Sequence, residues 1–407
     1  MKRDVKKFLE PKSIAVVGAS NNQQKVGYTL FKKLLSFKGQ VFPVNILEQE
    51  VLGRKAYSSI LSIKSKIDLV VIAIPSKSVI SVLEDCGKKK IRNIIIISAG
   101  FSEVGNDFLD KEMKQLAKKY KLNILGPNCF GIANPYLDLD TTFSNLPTKR
   151  GDIAFISQSG ALWSYISDIS NLKQANGFSG FVSLGNIFDL NFNDFIQYFN
   201  KDKKTKKIVL YIEKIKDGKK FIEICKKSKK EIIAIKAGRT EIGTKATLSH
   251  TGSLATSFEV YRGIFKQAHV KLASSFAEAF NLVPQQIKVK GKRIAILTNA
   301  GGAGALLADQ LVEKGYSPFQ PIDILGTALA KDYGKELLKL KNRKDVDSII
   351  VLLTPQSMSQ PLDTAKEIVK YSKTSNKIIT AVFLGANSII DAKRELEKNK
   401  IPCINII

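Results

Sequence analysis

The amino-acid sequence predicts an α/β fold made of three parallel-sheet units in tandem. Three segments share one design, a short apolar strand, a turn of small residues and a helix, and they begin at Lys12, Gly151 and Gly291. Their starts are separated by roughly 140 residues, the size of one domain. The other predicted strands are mostly continuous β-branched runs, which are typical of parallel strands covered by helices on both faces.

The first unit, residues 1–135, opens with a strand and a polar loop that runs from Gly18 to Gly27. Its other predicted strands are Val41–Val44, Leu69–Ile74, Ile94–Ile97 and Leu122–Leu125. The loop does not match the dinucleotide fingerprint G-x-G-x-x-G, because Ser20 occupies the second glycine position. The second strand ends at Asn45 without the carboxylate that binds an NAD ribose. The loop therefore disfavours NAD and suits another nucleotide with several phosphates.

The second unit, residues 150–284, contains the residues best suited to chemistry. Its further predicted strands are Gly180–Ser183, Ile208–Ile212 and Ile232–Ala237. The turn Ser157–Gly160 offers backbone N–H groups to a phosphate at a helix start. Glu213 ends a strand at the ligand-facing edge, and His250 lies among Ser, Thr and Gly in a predicted loop. A histidine, a carboxylate and an anion cradle together suggest phosphoryl transfer through a phosphohistidine.

The third unit, residues 291–407, continues the same pattern with predicted strands at Ile349–Leu353 and Ile378–Phe383. Linkers are predicted near 135–150 and 284–293. The other histidine, His269, has no site-like neighbours in sequence and is predicted to be a surface residue. Cys129 is predicted to be a packing residue, because nothing nearby in sequence would lower the pKa of its thiol.

Composition restricts the class of protein. Of the 407 residues, 44% are hydrophobic and 25% are charged, as in ordinary globular proteins. Runs of about 18 apolar residues and a secretory signal are not recognisable, so we predict no membrane association. The scattered cysteines exclude a disulfide framework and fit a reducing cytoplasm. The net charge of +27 comes from lysines spread along the chain, and an anionic small molecule accounts for it as well as a nucleic acid does. Arginine is scarce, whereas nucleic-acid readers usually rely on it, so we predict that nucleic acid is not the partner.

A series of short stretches matches one known family, in order, along nearly the whole chain. They are Ser13–Ser20, Lys25–Gly27, Val41–Asn45, Ser98–Glu103, Leu125–Gly131, Ser157–Leu162, Val182–Asn186, Tyr211–Glu213, Lys236–Thr240, Ser249–Ala255, Thr298–Gly302 and Leu353–Gln356. On these residues the sequence resembles the α subunit of ADP-forming acetyl-CoA synthetase. More distantly, it is similar to the succinyl-CoA synthetase α subunit.

The resemblance implies a Rossmann-like CoA-binding domain at 1–135, a succinyl-CoA-synthetase-like domain at 150–284 and a shortened third flavodoxin-like domain at 291–407. His250 matches the phosphohistidine of the family, and Glu213 matches the carboxylate that orients it. Phosphate would be held by Ser157, Ser159, Gly160 and Ala161. CoA would be held by residues of the first loop and of later strand ends: Gly18, Ala19, Ser20, Lys25, Val26, Gly27, Pro75, Ser98, Ala99, Gly100 and Asn128. We predict no metal site on this chain.

The resemblance also implies a reaction and a partner. Acyl-CoA, phosphate and ADP would be converted into a small carboxylic acid such as acetate, CoA and ATP. An ATP-grasp domain and a P-loop are not recognisable in the sequence. The resemblance therefore implies a separate ATP-grasp β subunit that carries ADP or ATP with Mg²⁺, in a cytoplasmic hetero-oligomer that is α₂β₂ by analogy.

Three departures from the family pattern keep alternatives open. Ile46 and Leu47 follow Asn45 where the family usually has Pro and Lys, so a cation contact to CoA is either lost or supplied by Arg54 or Lys55. The third domain and the C-terminus are shorter than usual, which puts subunit assembly in question. The alternatives are a succinyl-CoA-synthetase-type subunit, which the third domain opposes, a CoA-binding regulatory protein without chemistry, and a nucleic-acid-binding protein driven by charge.

Overall fold

The computed structural model describes residues 5–144, 146–172, 176–251, 257–356 and 358–407, with the backbone alone described at 248–251. The predicted α/β class is confirmed, because three mainly parallel sheets follow one another along the chain. Across these residues, no helix is both long and apolar enough to cross a bilayer.

The first unit is a parallel sheet in the order β2-β1-β5-β6-β7, with a separate β3–β4 hairpin. Its strands are β1 (Ser13–Val17), β2 (Gln40–Val44), β3 (Glu50–Val51), β4 (Arg54–Lys55), β5 (Leu69–Ile72), β6 (Asn93–Ile96) and β7 (Asn123–Leu125). Its helices are α1 (Lys6–Leu9), α2 (Val26–Leu34), α3 (Val79–Lys88) and α4 (Asp107–Tyr120). Alternate residues of β1 pack into two different cores, Ile14 with Leu30 and Ala15 with Leu83, so helices cover both faces of the sheet.

The second unit is a sheet in the order β14-β13-β12-β10-β11-β8-β9. Its strands are β8 (Ile132–Asn134), β9 (Leu139–Asp140), β10 (Arg150–Ser157), β11 (Phe178–Ser183), β12 (Lys207–Ile212), β13 (Glu231–Lys236) and β14 (Lys271–Ala273). Its helices are α5 (Ala161–Ser170), α6 (Phe192–Lys201), α7 (Gly218–Lys226), α8 (Glu241–Thr251), α9 (Phe258–Gln267) and α10 (Phe276–Phe280). The strands β10 to β14 are parallel, and β8 and β9 are added antiparallel at the edge.

The third unit is a parallel sheet in the order β16-β15-β18-β19-β20, with β17 also paired to β15. Its strands are β15 (Arg293–Thr298), β16 (Ser317–Pro318), β17 (Ile322–Asp323), β18 (Ser348–Leu353), β19 (Ile378–Phe383) and β20 (Cys403–Ile404). Its helices are α11 (Gly301–Glu313), α12 (Ala330–Lys341), α13 (Pro361–Ser372) and α14 (Ile390–Lys398).

The predicted linker at 135–150 contains packed structure in its described part. Strands β8 and β9 lie in it or directly before it, and β8 pairs with β11 of the second sheet. The ammonium of Lys33, on α2, lies 2.8 Å from Asp140 and 2.7 Å from the Ser144 hydroxyl. Strands of two and three residues are too short to produce a hydrophobic period, so the sequence pattern did not predict them.

The second and third units share a hydrophobic core. Helices α5 and α11 are buried along nearly their whole length, which explains why the sequence of α11 is apolar on all sides. Trp163 of α5, Leu306 of α11 and Phe155 of β10 belong to one continuous cluster. The two units are therefore joined through buried surface, and their carboxyl edges meet at the helix starts.

Candidate functional site

The loop after β1 requires glycine at two positions. Gly18 has a φ of +92°, and a Cβ placed on it would lie 2.3 Å from the Ala73 carbonyl oxygen. A Cβ on Gly27, in the first turn of α2, would lie 1.8 Å from the Gly18 carbonyl oxygen. Both contacts are shorter than any van der Waals separation, so a larger residue would force the backbone apart. The loop thus brings the start of α2 directly against the end of β1, as a phosphate-binding loop requires.

The other predicted CoA residues lie at the same edge of the first sheet. The Ile74 amide donates to the Ser98 hydroxyl at 3.2 Å, and the Asn128 amide donates to the Ser98 carbonyl at 2.9 Å. Gly100 has a φ of +105°. Pro75 and Ala99 are exposed there. The ends of β1, β5, β6 and β7 therefore present one continuous row of loops.

A carboxylate that the sequence analysis overlooked lies at the mouth of the first loop. Glu48 accepts hydrogen bonds from the Ser20 hydroxyl at 2.9 Å, the Asn21 amide at 3.0 Å and the Asn45 side chain at 3.2 Å. Ile46 and Leu47, which replace the Pro and Lys of the resemblance, are 82% and 86% exposed. The Ser20 and Asn21 donors of the loop are therefore engaged by a carboxylate, and Ile46 and Leu47 add no positive charge.

The turn Ser157–Gly160 lies where β10 passes into α5. Ser157 is fully buried, and its hydroxyl donates to the Ser159 carbonyl at 2.7 Å. A Cβ on Gly160 would lie 2.5 Å from the Phe130 Cβ, so this glycine packs against the connection from the first unit. Ala161 starts the ten-residue helix α5. This geometry places a helix N-terminus, with its partial positive charge, beside Ser159.

Gln158 joins this turn to Glu213. Its side-chain oxygen accepts from the Glu213 amide at 2.8 Å and from the Lys214 amide at 2.7 Å. Glu213 is half-buried, directly after β12. The structure thus brings the predicted phosphate turn and the predicted orienting carboxylate together. Gln158 belongs to a recognised sequence motif, but the sequence alone assigned it no role.

His250 lies in α8, and its side chain lies outside the described residues. The prediction that this segment forms a loop is wrong up to Thr251, because α8 runs from Glu241 to Thr251. A run of Thr, Ser and Gly has low helix propensity, so the pattern favoured a loop. The helix is supported instead by contacts with the third unit, chiefly with α11.

Lys236 is a buried cation at the same edge. It is 3% exposed at the end of β13, donates from Nζ to the Ala237 carbonyl, and lies 4.5 Å from the centre of the Tyr261 ring. Burial lowers the pKa of its ammonium to about 8, although Glu213 and Asp309 act in the opposite direction. The sequence signal was a lysine within the otherwise apolar run 232–237.

The third unit completes this part of the site. The Tyr211 hydroxyl donates to the Gly302 carbonyl at 2.9 Å. A Cβ on Gly302 would lie 3.0 Å from the Ser159 hydroxyl oxygen. The start of α11 therefore abuts the Ser159 turn. Sequence reasoning identified the glycines of this turn as the start of a unit and assigned them no site role.

The edge of the first sheet that contains the predicted CoA residues, called the CoA edge below, is adjacent to the predicted phosphate turn. The Phe130 amide donates to the Ser183 hydroxyl at 2.8 Å, and the Asn128 side chain donates to Asn186 at 3.3 Å. The Asn186 side chain in turn donates to Glu103 at 2.6 Å. A continuous path of contacts therefore leads from the end of β7 to Gly160.

Cys129 and His269, two further residues weighed in the sequence, are not part of the candidate site. Cys129 is buried, with its Sγ 3.2 Å from the Ile96 carbonyl oxygen, and burial raises the pKa of its thiol to about 12. It is a packing residue, as predicted. His269 is exposed in the turn after α9, also as predicted.

Comparisons with known proteins agree with this arrangement. The CoA binding domain family matches residues 12–135, and the succinyl-CoA ligase like flavodoxin domain family matches residues 150–285. The chain is 40% identical to the acetate–CoA ligase [ADP-forming] II subunit alpha of Pyrococcus furiosus, over 97% of this chain and 93% of that protein. A solved structure of acetyl-coenzyme A synthetase 1 from Ca. Korarchaeum cryptofilum, in complex with phosphate and ADP, is 35% identical with a TM-score of 0.66. The match covers 99% of this chain and 94% of that one.

Longer relatives match as well. The acetate–CoA ligase [ADP-forming] of Methanocaldococcus jannaschii is 41% identical over 98% of this chain. The chain spans only 61% of that protein's length.

Proposed function

The chain belongs to the family of ADP-forming acid–CoA ligases, and from this premise we propose that it is the α subunit of an enzyme that converts acyl-CoA, phosphate and ADP into acid, CoA and ATP. The substrate is a short carboxylic acid such as acetate. This proposal is supported by one observation above others: Gln158 holds the Ser159 turn and Glu213 together at the edge that adjoins the CoA loops.

The first step takes place where the CoA edge meets the Ser159 turn. CoA binds along Gly18–Gly27, Ser98–Gly100 and Asn128, and phosphate binds at the start of α5. A phosphate oxygen attacks the thioester carbonyl, the C–S bond breaks, and CoA leaves as the thiolate, which takes a proton. The backbone N–H groups of the helix start stabilise the negative charge on the phosphate.

The second step uses His250. Its neutral imidazole attacks the phosphorus of the acyl phosphate, the bond between phosphorus and the acyl oxygen breaks, and the acid leaves as its carboxylate anion. Glu213 accepts a hydrogen bond from the other ring nitrogen and fixes its tautomer. In the last step the phosphoryl group passes from the imidazole to the terminal oxygen of ADP, which gives ATP.

The nucleotide site belongs to a partner. We propose that ADP or ATP with Mg²⁺ binds to an ATP-grasp β subunit, in a cytoplasmic hetero-oligomer. The Pyrococcus furiosus relative is named a subunit alpha, which supports this division. We also propose the domain division 1–135, 150–284 and 291–407.

The experiment that tests the proposal compares the two histidines of the chain. The full chain is incubated with acetyl phosphate carrying labelled phosphate, alone and with its β subunit. We expect an acid-labile, base-stable label in the wild type and in His269→Asn, and none in His250→Asn. CoA affinity, measured by calorimetry, should be unchanged in both variants, because neither residue lies at the CoA edge.

Two outcomes would reject the proposal. Label that persists in His250→Asn would exclude this residue as the nucleophile. CoA binding without any label, with the β subunit present, would indicate a CoA-binding regulatory protein instead.

A further inference from the structure

We propose that Asp309, on α11 of the third unit, is a positioning residue for the phosphoryl transfer assigned to His250. It fixes the start of α8, the helix that contains His250. The inference rests on the proposed function for the role of His250, whereas the contact between Asp309 and α8 stands on the structure alone.

Asp309 binds the residues immediately before α8 with both carboxylate oxygens. Its Oδ2 accepts from the Gly238 amide at 2.8 Å and from the Arg239 amide at 3.0 Å. Its Oδ1 accepts from the Thr240 amide at 2.8 Å and from the Thr240 hydroxyl at 2.7 Å. Asp309 itself is fully buried. Four donors thus converge on one carboxylate, supplied by a helix about 70 positions later in the chain.

The contact between Asp309 and the start of α8 is closely packed. A Cβ on Gly243 would lie 2.0 Å from Asp309 Oδ1. An asparagine at 309 could offer only one acceptor oxygen, so its NH₂ group would face either the Gly238 and Arg239 amides or the two Thr240 donors. A carboxylate also interacts favourably with the partial positive charge of a helix N-terminus.

This cap controls the position of residue 250. A helix is a stiff rod, and residue 250 lies nine residues beyond Glu241, or about 14 Å along the axis at 1.5 Å per residue. Small changes of tilt at the start are therefore carried to the far end. Asp309 also holds the Thr240 hydroxyl, whose oxygen accepts from the Gly243 amide in the first turn at 3.1 Å, so loss of the carboxylate would loosen the cap of that turn.

The second unit contains a matched counterpart. Asp168, on the buried helix α5, accepts from the amides of Ala386, Asn387 and Ser388 at 2.7, 3.0 and 3.1 Å. Those residues precede α14 in the third unit. Asp168 is 2% exposed. Each unit therefore caps a helix of the other with a buried carboxylate, but only Asp309 acts on the helix that contains His250.

The test compares Asp309→Asn with Asp168→Asn in the full chain. The rate of label transfer from acetyl phosphate is measured together with CoA affinity and the half-saturating acetyl phosphate concentration. We expect Asp309→Asn to slow labelling at saturation at least 30-fold, with CoA affinity and half-saturation within about two-fold of wild type. Asp168→Asn should slow it less than three-fold. Thr240→Val removes the hydroxyl that donates to Asp309 and accepts from the Gly243 amide at 3.1 Å, and it leaves the backbone amides on the carboxylate. We expect it to slow labelling three- to ten-fold, and it replaces Asp309→Asn if that variant fails to fold.

Hydrogen exchange separates this inference from the proposed function. Amides at the start of α8 should exchange faster in Asp309→Asn and not in Asp168→Asn, whether or not the wild type takes label. Equal exchange in the two variants, or equal loss of labelling, would overturn the positioning role and leave a general effect on stability. Absence of label in the wild type with its β subunit would count against the proposed function instead.

Discussion

The CoA edge of the first unit and the junction of the second and third units are built in different ways. At the CoA edge, the backbone sets the shape: Gly18 and Gly27 touch each other, and the side chains of Asn21, Gln24 and Lys25 are exposed to solvent. At the junction, charged side chains are buried: Lys236 and Asp309 are 3% and 0% exposed. The first region therefore depends on the absence of Cβ atoms, and the second depends on the balance of buried charges.

This difference predicts how each region responds to change. A substitution at the CoA edge should act through shape, with little dependence on pH. A substitution at the junction should act through charge, and its effect should change with pH or with the loss of one partner.

The largest effect is expected for Gly27→Ala. The new Cβ would meet a backbone carbonyl oxygen, which cannot move aside as a flexible side chain can. We expect CoA affinity to fall at least 100-fold and the free energy of unfolding to fall by about 3 kcal/mol. Calorimetric titration with CoA and chemical denaturation would measure the two quantities.

The control is Gly263→Ala, in α9. A Cβ at this position meets nothing within 4 Å. The replacement should leave CoA affinity unchanged and raise stability by up to about 1 kcal/mol, because alanine is the better helix former. Equal changes of CoA affinity and stability in the two variants would show that the close contact at Gly27 does not determine the shape of the CoA edge.

A smaller effect, of opposite sign on stability, is expected for Lys236→Met. Below pH 8 the ammonium is charged and buried, so its lost hydration destabilises the folded chain. Because the folded chain binds this proton less tightly than the unfolded chain, an apolar side chain of similar size should raise the free energy of unfolding at pH 7 by about 1–3 kcal/mol. Phosphoryl transfer should nonetheless fall, because the positive charge beside Glu213 is removed.

The stability gain should depend on pH. An unfolded lysine keeps its proton up to about pH 10.4, whereas folded Lys236 loses it near pH 8. Between these values the unfolded chain binds more protons, so wild-type stability rises with pH. The advantage of Lys236→Met should therefore shrink between pH 8 and pH 10. A constant difference across that range, in denaturation curves, would show that the lysine is not buried as a cation.

Activity offers a second test of the same residue. Wild-type phosphoryl transfer should decline as the pH rises through about 8, because the ammonium is neutralised. Lys236→Arg keeps its charge at any accessible pH, so whatever activity it retains should show no alkaline decline at that point. A decline shared by both proteins would assign it to another group.

The smallest effect is expected at the exposed rim of the CoA edge. Leu47→Lys restores the lysine of the family pattern, beside the loop whose donors are bound by Glu48. We expect CoA affinity to rise about two- to five-fold at low salt and to return towards wild type at high salt, since exposed ion pairs contribute about 0.2–1 kcal/mol. Leu338→Lys, at a position 62% exposed on α12, is the matched control and should change nothing.

The same contrast explains what the sequence could predict. The fold class followed from continuous apolar strands, and the glycines of the first loop are recognisable because their requirement is local. Lys236, Gln158 and Asp309 were not assigned roles, since their partners lie far away in the chain. Asp309 meets Gly238 across 71 positions, and no spacing rule links such residues.

Helix α8, which contains His250, shows most clearly what local sequence patterns fail to predict. Local propensity in Thr247–Thr251 favours a loop, and the structure has a helix there because the third unit supports it. Glu48 was overlooked for a related reason: its role depends on a pairing with Ser20 and Asn21 that only the folded loop creates.

The cap on α8 has a consequence for biosynthesis. The ribosome synthesises the N-terminus first. All strands of the second sheet are therefore available before α11, which forms part of the core shared with the third unit, has been synthesised. During that interval, the carboxylate of Asp309 is not yet present to accept from the amides of Gly238, Arg239 and Thr240. The segment that contains His250 therefore reaches its final form only when the third unit folds. The order of synthesis thus makes the folding of the third unit the step that fixes the start of α8.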